Sequence, residues 1–207
     1  GYTSSRECGL DRIDGYKSSS ISNCYGVAET MLSASGDRQA NARIMNINFR
    51  VCTESDLARV REYTISLYQE DPPGKEMNAA KFDRTFWEFT NKPEKGRIVV
   101  FDRAERTTAG SQDNLVVGYA IIVFYWSNEY GGDFIEVDEL FVDKDYRGNE
   151  IATAFFEWLE QTWHQKAVAL SIQVTPANDR ALTFYKRIGL VTRSPTLNLC
   201  RVVQPCV

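Results

Sequence analysis

The stretch Val137–Gln161, VDELFVDKDYRGNEIATAFFEWLEQ, decides the reading of this chain. Apolar residues crowd its first positions and predict a strand that ends at Val142. A short polar loop, Asp143–Tyr146, leads into Arg147-Gly-Asn-Glu-Ile-Ala152, which is expected to open a helix running to Trp163. Ile151, Phe155 and Leu159 form that helix's core stripe. The first turn of a helix presents unpaired N–H groups and the positive end of the macrodipole, so an anionic diphosphate can dock there. Gly148 lets backbone approach such a ligand closely, Ala152 is small enough to continue the approach, and Arg147 adds a cation. Glu150 is the odd residue, since a carboxylate aimed at a diphosphate repels it. As a helical residue Glu150 is expected to need no positive φ and to point into solvent. Arg-Gly before a helix is otherwise only a turn with a solvated cation.

Outward from this unit the rest of the order follows. Over Arg43–Val51, Met45, Ile47, Phe49 and Val51 alternate with Asn46, Asn48 and Arg50, which predicts a strand. Thr53-Glu-Ser-Asp56 resembles a capping box, and the helix after it carries Leu57, Val60, Thr64, Leu67 and Tyr68 on one stripe. Asp71-Pro-Pro-Gly74 stops that helix. A second helix is expected from about Asn78 to Thr90, with Ala79, Phe82, Phe86 and Phe89 on its apolar face. Arg97–Asp102, Leu115–Tyr125 and Phe134–Val142 read as successive strands, with a turn at Asn128–Gly132. Downstream, Ala167–Val174 reads as a strand, Asp179–Arg187 as a helix and Leu197–Val203 as a final strand. This order gives an α/β (α+β mixed) fold, a central mixed, mostly antiparallel twisted sheet with helices on both faces. Residues 1–41 are rich in Ser, Gly, Asn and Asp, with one helical turn at Tyr25–Leu32. They are expected to form a loosely ordered extension ahead of the domain at 42–207.

Composition narrows the classes. The 207 residues, 43% hydrophobic and 12% aromatic, suit a globular domain with a real core. A net charge of −4 argues against a nucleic-acid partner. No run of about 18 apolar residues occurs, so no membrane helix is expected, and no signal-peptide pattern opens the chain. Five cysteines, Cys8, Cys24, Cys52, Cys200 and Cys206, include no CxxC spacing, so neither a metal site nor a disulfide framework is indicated and a reducing cytoplasm is the simplest setting. A Cys8–Cys24 bridge is the one pairing left open.

A second segment, Asn178-Asp-Arg-Ala-Leu-Thr-Phe-Tyr-Lys-Arg-Ile-Gly189, opens with a good N-cap and closes with a glycine suited to a helix C′ position. Together the two segments resemble the GNAT superfamily of N-acetyltransferases. Arg147–Ala152 looks like that family's Arg/Gln-x-x-Gly-x-Gly/Ala signature, with Glu150 where Gly is usual. Asn178–Gly189 looks like its Asn-x-x-Ala-x-x-Phe-Tyr-x-x-x-Gly segment. Leu140-Phe-Val142 resembles the strand end that splays from its neighbour, and Glu129–Val142 resembles bacterial members of unassigned substrate. The resemblance spans roughly residues 42–203. It implies acetyl-CoA as co-substrate, without a metal. Its diphosphate would lie on Arg147, Gly148, Asn149, Glu150, Ile151 and Ala152, and its pantetheine arm on Leu140, Phe141, Val142 and Asn178. It further implies direct transfer to an amine, with a backbone N–H near Val142 polarising the acetyl oxygen and Tyr185 protonating the leaving thiolate. A homodimer is common in such a family.

The base is left among three carboxylates. Strand alternation puts Glu136 and Asp138 on one face and Glu139 on the other, and a carboxylate in an apolar strand is costly to bury without partners. Counted back from Arg147, Glu136 falls where histone-acetylating relatives keep a glutamate, and Asp138 and Glu139 match the acidic pair of polyamine-acetylating relatives. A structural ion pair, a wet edge or a water chain is the alternative for each. Tyr185 could be packing beside Phe184, and Glu70-Asp71 either lines the acceptor pocket or is a solvated helix end. His164, the single histidine, gives a triad or metal site little to build on. Lys186, Arg187 and Arg180 either reach the 3′-phosphate of CoA or coat a helix. The acidic strand favours a small cationic amine as acceptor. A protein or peptide acetyltransferase, a non-catalytic acyl-CoA-binding module and an unrelated α/β nucleotide-binding domain are the rival readings.

Overall fold

The computed structural model describes residues 47–71, 77–106, 112–163 and 167–192. The expected extension at 1–41, the start of the first strand at Arg43–Met45, the final strand at Leu197–Val203, His164 and every cysteine but Cys52 lie outside the described residues. Cys52 is a buried free thiol.

The elements run β1 (Ile47–Val51), α1 (Leu57–Glu70), α2 (Ala79–Asn91), β2 (Gly96–Arg106), β3 (Gln112–Ser127), β4 (Gly132–Val142), α3 (Ile151–Trp163), β5 (Ala167–Ile172) and α4 (Asp179–Arg187). The five strands form one sheet in sequence order, antiparallel except where β4 meets β5 in parallel. The mixed, mostly antiparallel sheet is thus as the sequence predicts.

Local chemistry sets the ends. Asp56 accepts from the Thr53 N–H and hydroxyl, each at 2.8 Å, and closes a 3-10 turn ahead of α1. Asn78 caps α2 by accepting from the Lys81 N–H at 3.0 Å. Because α2 begins immediately after that cap, Ala79 is exposed instead of joining Phe82 and Phe86 in the core. Arg50 on β1 reaches both Asp56 and Asp102, two buried carboxylates, and so ties β1 to β2 and to the start of α1.

Two apolar layers flank the sheet. On one face, Val60 and Tyr63 of α1 and Phe82 and Phe86 of α2 pack on Tyr119 and Phe141. On the other, Ile151, Phe155 and Leu159 of α3 pack on Val117, Ile122 and Val137, with Tyr185 of α4 partly buried against them. Phe155 is fully buried and meets Phe49, Phe101 and Trp158 at centroid distances of 5.8, 5.1 and 6.0 Å.

Candidate active site

Strand β4 is paired with β5 only from Asp133 to Val137. Beyond that point, residues Asp138 to Val142 keep β3 on one side and have no strand partner on the other among the described residues. The parting begins at a bulge. Ile121 sits opposite Glu139 and Ile122 opposite Val137, so Asp138 is an extra residue in β4. Opposite the end of the strand, Gly118 pairs with Val142. A Cβ there would stand 2.5 Å from the Phe141 carbonyl oxygen, so β3 and β4 approach closely only because this residue is glycine.

The bulge corrects the expected facing of the three carboxylates. Ile135 and Val137 lie on the α3 side, whereas Phe141 lies on the α1 side. The extra residue shifts the alternation by one, which puts Glu136 and Glu139 on the α1 side together and leaves Asp138 at the break. Glu139 is buried, and its two oxygens accept from Tyr119 Oη at 2.6 Å and Tyr68 Oη at 3.0 Å. Burial pushes its carboxyl above the usual range, the two phenols pull the other way, and the charge of Asp138 adds to the rise. Asp138 is exposed by surface area, yet the protein around it still raises its carboxyl, first by desolvation and then through Glu136. Glu136 accepts from Gln173 Nε2 at 2.6 Å.

After β4 the chain turns. Asp143 accepts from Tyr63 Oη at 3.0 Å and from the Asp145 N–H at 3.1 Å, and a 3-10 turn follows at Lys144–Tyr146. The helix expected from Arg147 starts only at Ile151. Arg147–Glu150 is instead a nonhelical link, with Gly148 at φ 81 and Glu150 at φ 57. A Cβ added at Gly148 would meet nothing within 4 Å, so glycine is needed there for its φ and the space beside it is open. Glu150 therefore does have the positive φ that a helical reading had spared it. For a residue with a Cβ this conformation costs about 1–2 kcal/mol. Its carboxylate is also turned back rather than outward: it accepts from Thr153 Oγ1 at 2.6 Å and lies 3.4 Å from Arg187, with 23% of the side chain exposed. The usual glycine of the signature is the signal that this position needs a left-handed backbone.

Arg147 is fixed, though by groups the sequence did not indicate. Its Nε donates to the Val142 carbonyl at 2.7 Å, its Nη2 pairs with Glu70 at 2.8 Å, and its guanidinium lies over Phe141 at 5.2 Å. Asn149 donates to the Tyr146 carbonyl at 3.0 Å, while Ile151 and Ala152 form the first turn of α3.

On α4, Asn178 caps the helix as expected, accepting from the Ala181 N–H at 3.0 Å, and Gly189 follows the last turn at φ 91. Asn178 Nδ2 also donates to Asp71 Oδ2 at 2.7 Å. Tyr185 stands edge-on to Phe156 and Phe184, with centroids 5.9 and 5.1 Å away. Its phenol is pushed well above the ordinary tyrosine range, chiefly by burial and then by the charge of Asp71. Lys186 and Arg180 are exposed, and so is Arg187 apart from its contact with Glu150.

The end of α1 joins these parts. Tyr68 touches Glu139, Glu70 touches Arg147, and Asp71 touches Asn178. Glu70 stays exposed to solvent at the helix end while pairing with Arg147, whereas Asp71 is half-buried against Asn178. Tyr68 and Tyr119 escaped sequence reading because a tyrosine on an apolar stripe is indistinguishable from packing until its hydroxyl finds a partner. A shallow depression of about 520 Å³ on α2, around Arg84, Trp87 and Asn91, contains none of these residues. Among the described residues there is no cluster of metal-binding side chains and no helix long and apolar enough to cross a membrane.

Solved structures share this fold. A possible acetyltransferase from Clostridium difficile 630 matches with a TM-score of 0.63 at 19% identity, over 76% of this chain and 99% of that one. An integron cassette protein, HFX_CASS3, from the mobile metagenome of Cole Harbour Salt Marsh matches with a TM-score of 0.58 at 25% identity, over 76% and 91%. AAC(6′)-Iy in complex with the bisubstrate analogue CoA-S-monomethyl-acetylneamine matches with a TM-score of 0.57 at 12% identity, over 75% and 98%. No curated protein matches the sequence. Residues 61–190, more than half of the chain and inclusive of both motifs, match the model of the acetyltransferase (GNAT) family, and the chain belongs to that family of acetyl-CoA-dependent acetyltransferases.

Proposed function

We propose that this protein moves an acetyl group from acetyl-CoA directly to a primary amine, with a small cationic amine as the acceptor. The observation that carries the reading is the junction at Tyr68–Asp71, where the β4 carboxylate, the turn arginine and the cap of the tyrosine helix are held by one helix end. The diphosphate lies against the amides at Gly148–Ala152, and the pantetheine arm lies along the unpaired edge at Leu140–Val142 and beside Asn178. Holding the two reactants in one cleft supplies a large part of the rate gain.

In the proposed step the amine nitrogen attacks the acetyl carbonyl carbon and a tetrahedral intermediate forms. A backbone N–H near Val142 stabilises the oxygen charge. The C–S bond then breaks, and the sulfur takes its proton from Tyr185. The proton released by nitrogen passes through water to Glu139. Glu139 is chosen over Glu136 and Asp138 because it is buried with its carboxyl raised, while Tyr68 and Tyr119 fix both its oxygens. Glu136, Asp138, Glu70 and Asp71 support a cationic acceptor by their charge.

The test is a panel of primary amines assayed with acetyl-CoA for release of free CoA thiol, run beside thermal stabilisation by CoA. Turnover with polyamines, aminoglycosides or other small cations is expected. Stabilisation by CoA with no turnover across the panel would replace this reading with a non-catalytic acyl-CoA-binding module, which the Glu150 carboxylate at the turn favours. Turnover only with peptides or proteins would shift the acceptor class.

A further inference from the structure

Glu150, the last residue of the link before α3, and Arg187, the last residue of α4, meet at the start of α3. Glu150 Oε2 accepts from Thr153 Oγ1 at 2.6 Å and lies 3.4 Å from Arg187 Nη2. The two contacts differ in kind. Thr153 is buried, so its hydroxyl is a fixed donor. Arg187 is 56% exposed, and its ion pair is one contact at the long end of the hydrogen-bond range. Its guanidinium carbon lies 5.6 Å from the Phe184 ring centroid, which steadies the group beside the turn. A guanidinium carries five donors in a planar fork, so a single long contact leaves most of that capacity open to a second anion.

The backbone at Glu150 brings its carboxylate to this place. At φ 57, immediately before Ile151, the side chain doubles back over the first turn of α3 and bonds to the residue three positions on. The positive end of α3 thus already faces a negative group supplied by the chain itself. Two anions at one helix start repel each other, whereas a phosphate offers the guanidinium a bidentate partner.

We propose that Glu150 and Arg187 form an exchangeable pair that selects for phosphate-bearing acyl donors. With no donor bound, Glu150 holds Arg187 at the turn. An arriving diphosphate takes the open donors of Arg187 and displaces the carboxylate. Glu150 lowers affinity for the donor, and Arg187 makes that affinity depend on phosphate. This inference rests on the reading of the α3 turn as the diphosphate site.

Calorimetric titration of the 207-residue chain with coenzyme A, and with pantetheine as the phosphate-free arm, tests it. Glu150→Gln keeps the shape and an acceptor for Thr153. It should tighten coenzyme A binding about two- to fivefold, the scale of a partly exposed charge contact, and leave pantetheine unchanged. Arg187→Gln should weaken coenzyme A by a similar factor and again leave pantetheine unchanged. Equal coenzyme A affinity for wild type and Glu150→Gln, with both still preferring it to pantetheine, overturns the exchange and leaves the diphosphate site standing. Tightening by Glu150→Gly but not by Glu150→Gln also overturns it, because backbone conformation and not charge would then set the affinity. Coenzyme A and pantetheine binding alike in the wild type would remove the diphosphate reading together with the pair.

Discussion

Asn178 Nδ2 donates to Asp71 Oδ2 at 2.7 Å, so the residue just past α1 holds the cap of α4 across 107 positions of chain. The same Asn178 accepts from the Ala181 N–H with its other amide atom, so both ends of the side chain are committed. With Glu70 on Arg147 and Tyr68 on Glu139, the end of α1 grips three separately encoded elements. None of these partners lies near α1 in sequence, and each contact fixes the angle between α1 and a different part of the site.

Asp71→Ala should loosen that grip at α4. Losing the partner of Asn178 is expected to cost about 1 kcal/mol of stability and to lower kcat more than it raises KM, since Tyr185 shifts with its helix. Urea unfolding and steady-state kinetics measure both. Unchanged values for the two together would show the contact to be incidental.

Tyr185→Phe retains the ring between Phe156 and Phe184 and removes only the proton donor. Turnover should drop by about 100-fold or more, while coenzyme A affinity stays within about twofold. Because burial raises the phenol, the donor stays protonated through neutral and mildly alkaline pH, and wild-type kcat should not fall there on its account. Thiol release followed across that range reads both outcomes.

Glu139→Gln should lower kcat by about 100-fold and abolish the acid limb of the pH profile. In the wild type that limb should sit above the ordinary glutamate value of about 4.3, in the direction burial drives it. Stability carries the same sign. The folded state binds the Glu139 proton more tightly than the unfolded chain, so this contribution is full below the unfolded value and is lost as pH rises through the folded one. The unfolding free energy of wild type relative to Glu139→Gln should therefore decline between about pH 4 and neutrality. A difference that does not change with pH would contradict it.

Gly118→Ala should separate β3 from β4 at Val142, because the new methyl carbon would stand 2.5 Å from the Phe141 carbonyl oxygen and 2.6 Å from the Phe101 ring. A loss of roughly 1–3 kcal/mol in stability is expected, accompanied by weaker coenzyme A binding. Full stability in this variant would mean that the strands part more easily than their packing implies.

Much of the fold was legible because its signals are local. The stripe through Ile151, Phe155 and Leu159, the cap at Asn178 and the breaker after Asp71 each announce an element from a few neighbouring residues. Asn178 stood out as a cap, and Tyr185 only through the resemblance of Asn178–Gly189 to the GNAT segment. What sequence could not supply was set by contacts distant in the chain. The hydroxyls of Tyr68 and Tyr119 carry meaning only once Glu139 lies between them. The late start of α3 comes from backbone geometry at Gly148 and Glu150, which a hydrophobic period does not encode. The one-residue slip in β4 is likewise invisible to strict alternation.

That slip changes how this strand should be lined up with others. Two carboxylates three positions apart share a side here, while neighbours two apart do not, so an offset counted from Arg147 does not say which compartment a group enters. A sister protein lacking the extra residue would aim an acid at the offset of Glu136 toward α3 instead of α1, while one at the offset of Glu139 would keep its side. Equivalence between such enzymes is therefore a matter of orientation, and deleting Asp138 would leave Glu136 and Glu139 on the same side while bringing Glu136 one position closer to Arg147 along the chain.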